Sequence, residues 1–230
     1  MEASTIDPRW KDLYRTAGIA AILSAVVILL GVVAYFIWPY APGSKSTESI
    51  FLFLQAQPLG GSVSLDLILL VGDLLGILLF LAFYVSLRSV NESFALIALT
   101  VGLIGVVLLV PDRPIPELFA LSRSYVATTD AASRGQLVAA GDALLSLFSG
   151  IGWFMSNLLG ALSLLVSSLL MLRSSAYSKA TAIVGIVTNV AAAGFFIPVI
   201  GTFLLFLSLP GYLIWYIQLA RRFLQLGRKA

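Results

Sequence analysis

Six apolar stretches, each close to the length that crosses a lipid bilayer as a helix, most constrain how this chain folds. About 20 apolar residues cross the hydrocarbon layer in helical form. Lipid offers no hydrogen-bond partner to backbone groups, so such stretches become helices. The sequence therefore predicts an all-α, polytopic membrane protein, with residues 1–230 as a single helical-bundle domain. The predicted spans cover residues 16–38, 63–87, 93–110, 143–172, 180–197 and 202–220.

Composition supports a membrane chain. Hydrophobic residues make up 60% of it and charged residues 11%, and the mean hydropathy is +1.02. Soluble domains carry about 25% charged residues. These values exclude a soluble enzyme, a nucleic-acid-binding module and a disordered tail. The first span is longer than the roughly 7–15 apolar residues of a signal peptide, so we expect it to be retained.

The chain contains no cysteine and no histidine. This excludes disulfides, cysteine nucleophiles, serine–histidine triads and zinc or haem sites that depend on these side chains. No phosphate-binding loop or nucleotide motif is present. We therefore predict that the protein is not an enzyme and uses no cofactor or metal.

Basic residues predict the orientation. Lysine and arginine are in excess on the cytoplasmic side of membrane proteins. Ten of the 14 basic residues lie before span one, after span six, or in the connectors after spans two and four. Both termini are therefore predicted to face the cytoplasm. This asymmetry accounts for the net charge of +3 without a nucleic-acid partner, and the lipid bilayer is the partner that the sequence implies.

The two longest connectors, residues 39–62 and 111–142, lie on the predicted outer side. The first contains the apolar run Ile50–Leu54, which is too short to cross the membrane. In the second, Leu118, Leu121 and Tyr125 recur at helical spacing. Two interpretations stay open: the connectors form a partial extracytoplasmic cap, or they lie on the surface as simple links.

The start of the fourth helix is a separate question. Residues 133–136 fit a capping box, so this helix is predicted to begin ahead of the membrane, near Ser133.

Spans five and six are joined only by residues 198–201, which predicts an antiparallel hairpin. Small residues at helical spacing on spans four and five predict close helix packing.

Five polar residues interrupt the apolar spans and form the candidate polar site: Asp66, Asp73, Asn157, Thr188 and Asn189. A carboxylate at the bilayer centre costs about 2.5–3.5 kcal/mol on insertion scales, and such residues usually face the bundle interior. The two aspartates are seven residues apart, which places them on one face of a continuous helix. The cluster is either a midplane site or relay, or interhelical polar bonding worth about 0.6 kcal/mol per bond.

Several short motifs resemble those of a prokaryotic membrane-protein family, the domain of unknown function 4386. They lie at residues 15–18, 152–154, 172–174, 197–201 and 213–216. The resemblance covers most of the chain and is strongest in its C-terminal part. It implies a six-helix bundle in a prokaryotic plasma membrane and assigns no functional residue.

Two functional interpretations follow. The first is a non-enzymatic structural or accessory subunit, with a membrane-protein partner or a second copy of the chain. The alternative is a transporter or channel for a small solute or protons that uses Asp73. In that case Asp66 lies on the outer path, and Asn157 and Asn189 line it.

Overall fold

The computed structural model describes residues 8–229, and all regular structure in this range is helical. The segments consist mostly of apolar side chains, and proline is rare inside them. Both features favour helices. Ten α-helices follow one another: α1 (Lys11–Ile37), α2 (Thr47–Ala56), α3 (Pro58–Ser64), α4 (Leu67–Leu87), α5 (Glu92–Leu109), α6 (Ile115–Ala127), α7 (Ala131–Ser146), α8 (Ile151–Met171), α9 (Lys179–Ala193) and α10 (Gly201–Lys229).

Six segments are long and apolar enough to cross a membrane, and they contain α1, α4, α5, α8, α9 and α10. This confirms the predicted six-helix membrane bundle. Large apolar side chains on these helices stay exposed, for example Phe36 at 85% and Val107 at 69%. Such faces contact lipid, in which an outward apolar side chain carries no penalty.

Contacts divide the chain into two compact units. The first contains residues 1–28, 72–106 and 157–230, and the second contains residues 29–71 and 107–156. The prediction of a single domain stays a prediction.

The first unit has a core of small and aromatic side chains. Ala17 and Ala21 on α1 are completely buried. Trp215 on α10 is also completely buried and stacks on Phe83 of α4, with ring centroids 5.8 Å apart. On α8, the predicted seam of small residues is buried at Ser163, whose hydroxyl donates to the carbonyl of Ala98 on α5 at 2.6 Å. The small side chain lets α5 and α8 come together at this point.

The predicted hairpin of the last two spans is present. A 3-10 turn over Gly194–Phe196 follows α9, and α10 begins at Gly201. A Cβ atom at Gly201 would lie 2.0 Å from the carbonyl oxygen of Phe195. The tight return of the chain therefore requires glycine here. Pro210 lies inside α10, which continues through it.

In the second unit, the two long connectors fold as packed helices with a core of their own. The run Ile50–Leu54 belongs to α2, and its side chains Ile50, Phe51 and Leu54 are buried against Leu118 of α6. Ser122 of α6 donates to the backbone carbonyl of Phe51 at 2.8 Å. The connectors are thus packed helices and not loose links, and the membrane side they face stays a prediction.

The helical segment ahead of the fourth span begins close to the predicted position. Helix α7 begins at Ala131, near Ser133, and is followed through a 3-10 turn and the extended residue Gly150 by α8, within one candidate membrane segment, Ala131–Met171. The expected capping box led by Ser133 is wrong, because Asp130 caps α7 and its carboxylate accepts the amide of Ser133 at 2.8 Å. Aspartate competes well for the N-cap position because its side chain reaches the free amides of the first turn.

Candidate functional site

The predicted second span is interrupted at Asp66. Helix α3 ends at Ser64 and α4 begins at Leu67, with Asp66 between them at φ +64°. Aspartate is among the few residues that adopt left-handed backbone readily. The carbonyl of Asp66 accepts the first helical bond of α4, from the amide of Leu70. The expectation that Asp66 and Asp73 share the face of one continuous helix is therefore wrong.

The side chain of Asp66 belongs to a buried cluster in the second unit. Asp66 is 7% exposed and Arg113 is 2% exposed. Arg113 Nη2 lies 3.0 Å from Asp66 Oδ2, and the Tyr35 hydroxyl donates to Asp66 Oδ1 at 2.6 Å. The opposite charge and the hydroxyl replace the water that this carboxylate loses on burial. We call these three residues, Tyr35, Asp66 and Arg113, the arginine clamp.

Further contacts fix the orientation of the arginine. Nη1 of Arg113 donates to the backbone carbonyl of Asp112 at 2.9 Å. The guanidinium carbon lies 4.9 Å from the ring centroid of Phe148, a cation–π distance. The guanidinium is thus contacted by a carboxylate, a carbonyl and a ring at once, while its Nε has no hydrogen-bond partner within residues 8–229.

The neighbouring carboxylate of Asp112 caps helix α8. Its Oδ2 accepts the backbone amide of Trp153 at 2.6 Å. The residue before α8 is Gly150, which has no side chain to serve as a cap. Asp112 supplies the missing acceptor from another part of the chain, and its negative charge suits a helix N-terminus. A Cβ atom at Gly152 would lie 2.5 Å from this carboxylate, so the close approach depends on glycine.

The other four predicted site residues belong to the first unit, and Asn189 is the most buried of them. It is 0% exposed, and its amide nitrogen donates to the carbonyl of Gly185 at 2.8 Å. Its amide oxygen accepts the Tyr212 hydroxyl of α10 at 2.9 Å. Thr188 is 3% exposed and lies beside Gly211, where a Cβ atom would come within 2.3 Å of the threonine hydroxyl oxygen. Both residues bind α9 to α10.

Asp73 is half-buried on α4. Tyr212 and Tyr216 of α10 lie within electrostatic range of its carboxylate. These two tyrosines stack with ring centroids 5.8 Å apart and an interplanar angle of 22°. Tyr212 therefore links the surroundings of Asp73 to Asn189. We call Asp73, Tyr212, Tyr216 and Asn189 the tyrosine chain. Asn157 lies half-buried on α8.

Four residues of these two clusters were not among the predicted site residues: Tyr35, Arg113, Tyr212 and Tyr216. The neighbouring Asp112, which caps α8, was not among them either. The one usable signal was the pair Asp112–Arg113, two opposite charges directly after an apolar span. Arg113 was interpreted only as an orientation signal. Within residues 8–229, no group of three or more acidic, histidine or cysteine side chains is placed to hold a metal ion.

Comparison of the chain with family models, with curated proteins and with solved structures finds no match. The resemblance to the domain of unknown function 4386 family therefore stays a prediction, and functional argument depends on the geometry alone.

Replacing Asn189 by leucine is expected to destabilise the protein by about 1 kcal/mol, since bonds of this kind in membranes contribute about 0.6 kcal/mol each. Tyr212→Phe should cost about half as much, because it removes one bond. Equilibrium unfolding in mixed micelles measures both values. In the double variant Tyr212→Phe should add almost nothing to Asn189→Leu. If the losses of unfolding free energy in the two single variants simply added up in the double variant, this would contradict the hydrogen bond between Tyr212 and Asn189.

Proposed function

We propose that the protein is a non-enzymatic integral membrane protein with a structural or accessory role, in the plasma membrane of a prokaryote. The observation that supports this most strongly is the burial of Asn189. Its amide is 0% exposed, and both its nitrogen and its oxygen are bonded within the protein, one to its own helix and one to α10. An amide buried and bonded in this way holds helices together and is not open to a solute.

The arginine clamp supports the same proposal. Asp66 was the candidate for the outer path of a transporter, yet Arg113 and Tyr35 occupy both of its carboxylate oxygens. A buried ion pair of this kind is costly to open, since separating the charges leaves each one poorly solvated. The ion pair connects α1, the start of α4 and the segment after α5. Such a fixed connection suits a structural role better than a path for a transported solute.

A second function is favoured by the tyrosine chain. Asp73 is a carboxylate within a membrane helix, and the hydroxyl of the nearby Tyr212 is bonded to Asn189. Intramembrane carboxylates with polar neighbours mark proton relays and substrate sites in transporters. The alternative is therefore a transporter or channel for protons or a small solute, with Asp73 as the titrating group.

Cysteine accessibility decides between the two functions, because the chain has no cysteine of its own. Single cysteines at positions 73, 157 and 189 are exposed to a small charged thiol reagent in intact membranes. The structural role predicts no labelling at any of the three in folded, inserted protein. Rapid labelling that is blocked from one side only would instead support a water-filled path and the transporter.

Two further cysteines serve as matched controls and test the orientation. Lys45 and Ser175 are exposed, and the proposed topology places their connectors on opposite sides of the membrane. With both termini in the cytoplasm, Lys45→Cys should react from outside intact cells and Ser175→Cys only after the cells are opened. The reverse pattern would overturn the proposed orientation. It would not affect the choice between a structural role and a transporter, which depends on labelling at positions 73, 157 and 189.

A further inference from the structure

A polar cleft of about 460 Å³ lies in the first unit, beside the connector between α8 and α9 and the last turns of α10. Nine residues line it, among them Arg221 and Arg222, and in this described set none is acidic. Serine, threonine and glutamine side chains supply most of the remaining polar surface. The cleft thus offers two positive charges and several hydrogen-bond donors without a carboxylate to neutralise them.

The arginine at position 222 is incompletely bonded. Its Nε is buried and has no hydrogen-bond partner within residues 8–229. Its Nη1 has one long contact, 3.5 Å from Gln225 Oε1. Buried donors on charged groups are normally satisfied, because an unmade bond leaves the cost of desolvation uncompensated. An acceptor in the cleft would satisfy the guanidinium.

The start of α9 adds to the positive character of the same cleft. Ser178 caps this 15-residue helix by accepting the amide of Thr181 at 3.1 Å, and both side chains line the cleft. The amides of a first helical turn carry partial positive charge and favour anions. This feature reinforces the two arginines, which remain the main source of charge.

The position of the cleft next to the apolar part of the last span indicates which kind of anion it could bind. Arg221 and Arg222 directly follow the apolar part of the last span, at the level where lipid headgroups lie. Ile217, one turn before Arg221 on the same face of α10, is 42% exposed. A ligand with a phosphate group and an apolar tail would therefore place the phosphate in the cleft and the tail along α10.

The geometry points to a binding site for a phosphate-bearing anion in this cleft, with the phosphodiester of an anionic phospholipid as its ligand. The guanidinium of Arg222 donates to the phosphate oxygens through its Nη atoms, and Arg221 adds a second positive charge. The site is independent of the proposed function, since a scaffold and a transporter both accommodate it.

The test measures the affinity of purified full-length protein for three probes: dihexanoyl phosphatidylglycerol, inorganic phosphate and dihexanoylglycerol, which lacks phosphate. The shift of the unfolding temperature with probe concentration gives an apparent Kd. We expect Arg222→Gln to weaken binding of the phospholipid about tenfold or more, as for other hydrogen bonds to charged groups. Arg228→Gln removes the same charge from the same helix outside the cleft and should change binding less than about twofold.

Arg222→Lys keeps the charge but loses the forked set of guanidinium donors, so it should still lose much of the affinity. Binding of the phospholipid alone identifies a lipid site, and equal binding of inorganic phosphate supports the anion site with free phosphate as its ligand. The proposal is overturned by equal losses in Arg228→Gln and Arg222→Gln, by equal binding of dihexanoylglycerol, or by no binding of either phosphate probe.

Discussion

Arg113→Met is expected to destabilise the protein by about 3–5 kcal/mol, the usual cost of removing one partner of a buried ion pair. Asp66 would keep the Tyr35 hydroxyl but lose the positive charge 3.0 Å away. Its carboxylate would then be a buried charge without compensation. Equilibrium unfolding in mixed micelles measures the change in the free energy of unfolding.

A double variant separates the ion pair from simple packing. Asp66→Asn combined with Arg113→Met removes both charges, and uncharged replacements of buried pairs are often nearly neutral. The double variant should therefore recover at least half of the loss seen in Arg113→Met. Arg123→Met is the matched control, because Arg123 is exposed on α6 and should change stability by less than about 0.5 kcal/mol. A double variant as unstable as the sum of the single ones would contradict the arginine clamp.

Trp215→Ala is expected to cost about 3–5 kcal/mol, as for other large aromatic side chains removed from cores. The indole is completely buried and stacks on Phe83. It also lies against Gly185, where a Cβ atom would come within 2.7 Å of its Nε1. Since that nitrogen has no hydrogen-bond partner in the described part of the chain, the whole loss comes from packing.

The neighbouring Ile214 provides the control for Trp215. It lies on the same helix but is 51% exposed, on a face that contacts lipid. Removing an apolar side chain from a lipid-facing position opens no cavity, so Ile214→Ala should change the free energy of unfolding by less than about 0.5 kcal/mol. Similar losses in the two variants would mean that Trp215 does not anchor the core.

The membrane helices could be predicted from the sequence because length and apolarity are local properties of the chain. The same holds for the last hairpin, in which only residues 198–201 separate two predicted spans. The helices of the long connectors were also indicated locally, by the spacing of Leu118, Leu121 and Tyr125. Their common core was not, since it depends on which connector lies beside which.

The arginine clamp could not be predicted for a similar reason. Tyr35 and Asp66 are 31 residues apart, and no periodicity relates them to Arg113. Asp66 was instead assigned to a helix face, and Arg113 was counted only among the basic residues from which the orientation is predicted. The seven-residue spacing between Asp66 and Asp73 was misleading because it presumes an unbroken helix, and the chain turns left-handed at Asp66.

The burial of Trp215 could not be predicted either. Tryptophan near the end of a span is typical of the membrane surface, and that pattern does not show which neighbouring helix the indole packs against. The structure buries it completely, because Gly185 on the neighbouring helix leaves room for the indole. No local pattern in the sequence relates this glycine on α9 to the tryptophan on α10.

The arginine clamp also sets an order of events during biosynthesis. The chain is made from its N-terminus, so Tyr35 and Asp66 leave the ribosome well before Arg113. Until the fifth helix and the turn after it have emerged, the Asp66 carboxylate has only the tyrosine hydroxyl to contact, and it must remain hydrated or protonated. The ion pair therefore forms late, and its formation joins the early helices to the middle of the chain. A nascent chain that stops before residue 113 contains α1, α4 and α5 without the contact between Asp66 and Arg113, so this ion pair forms only after the chain has grown beyond that residue.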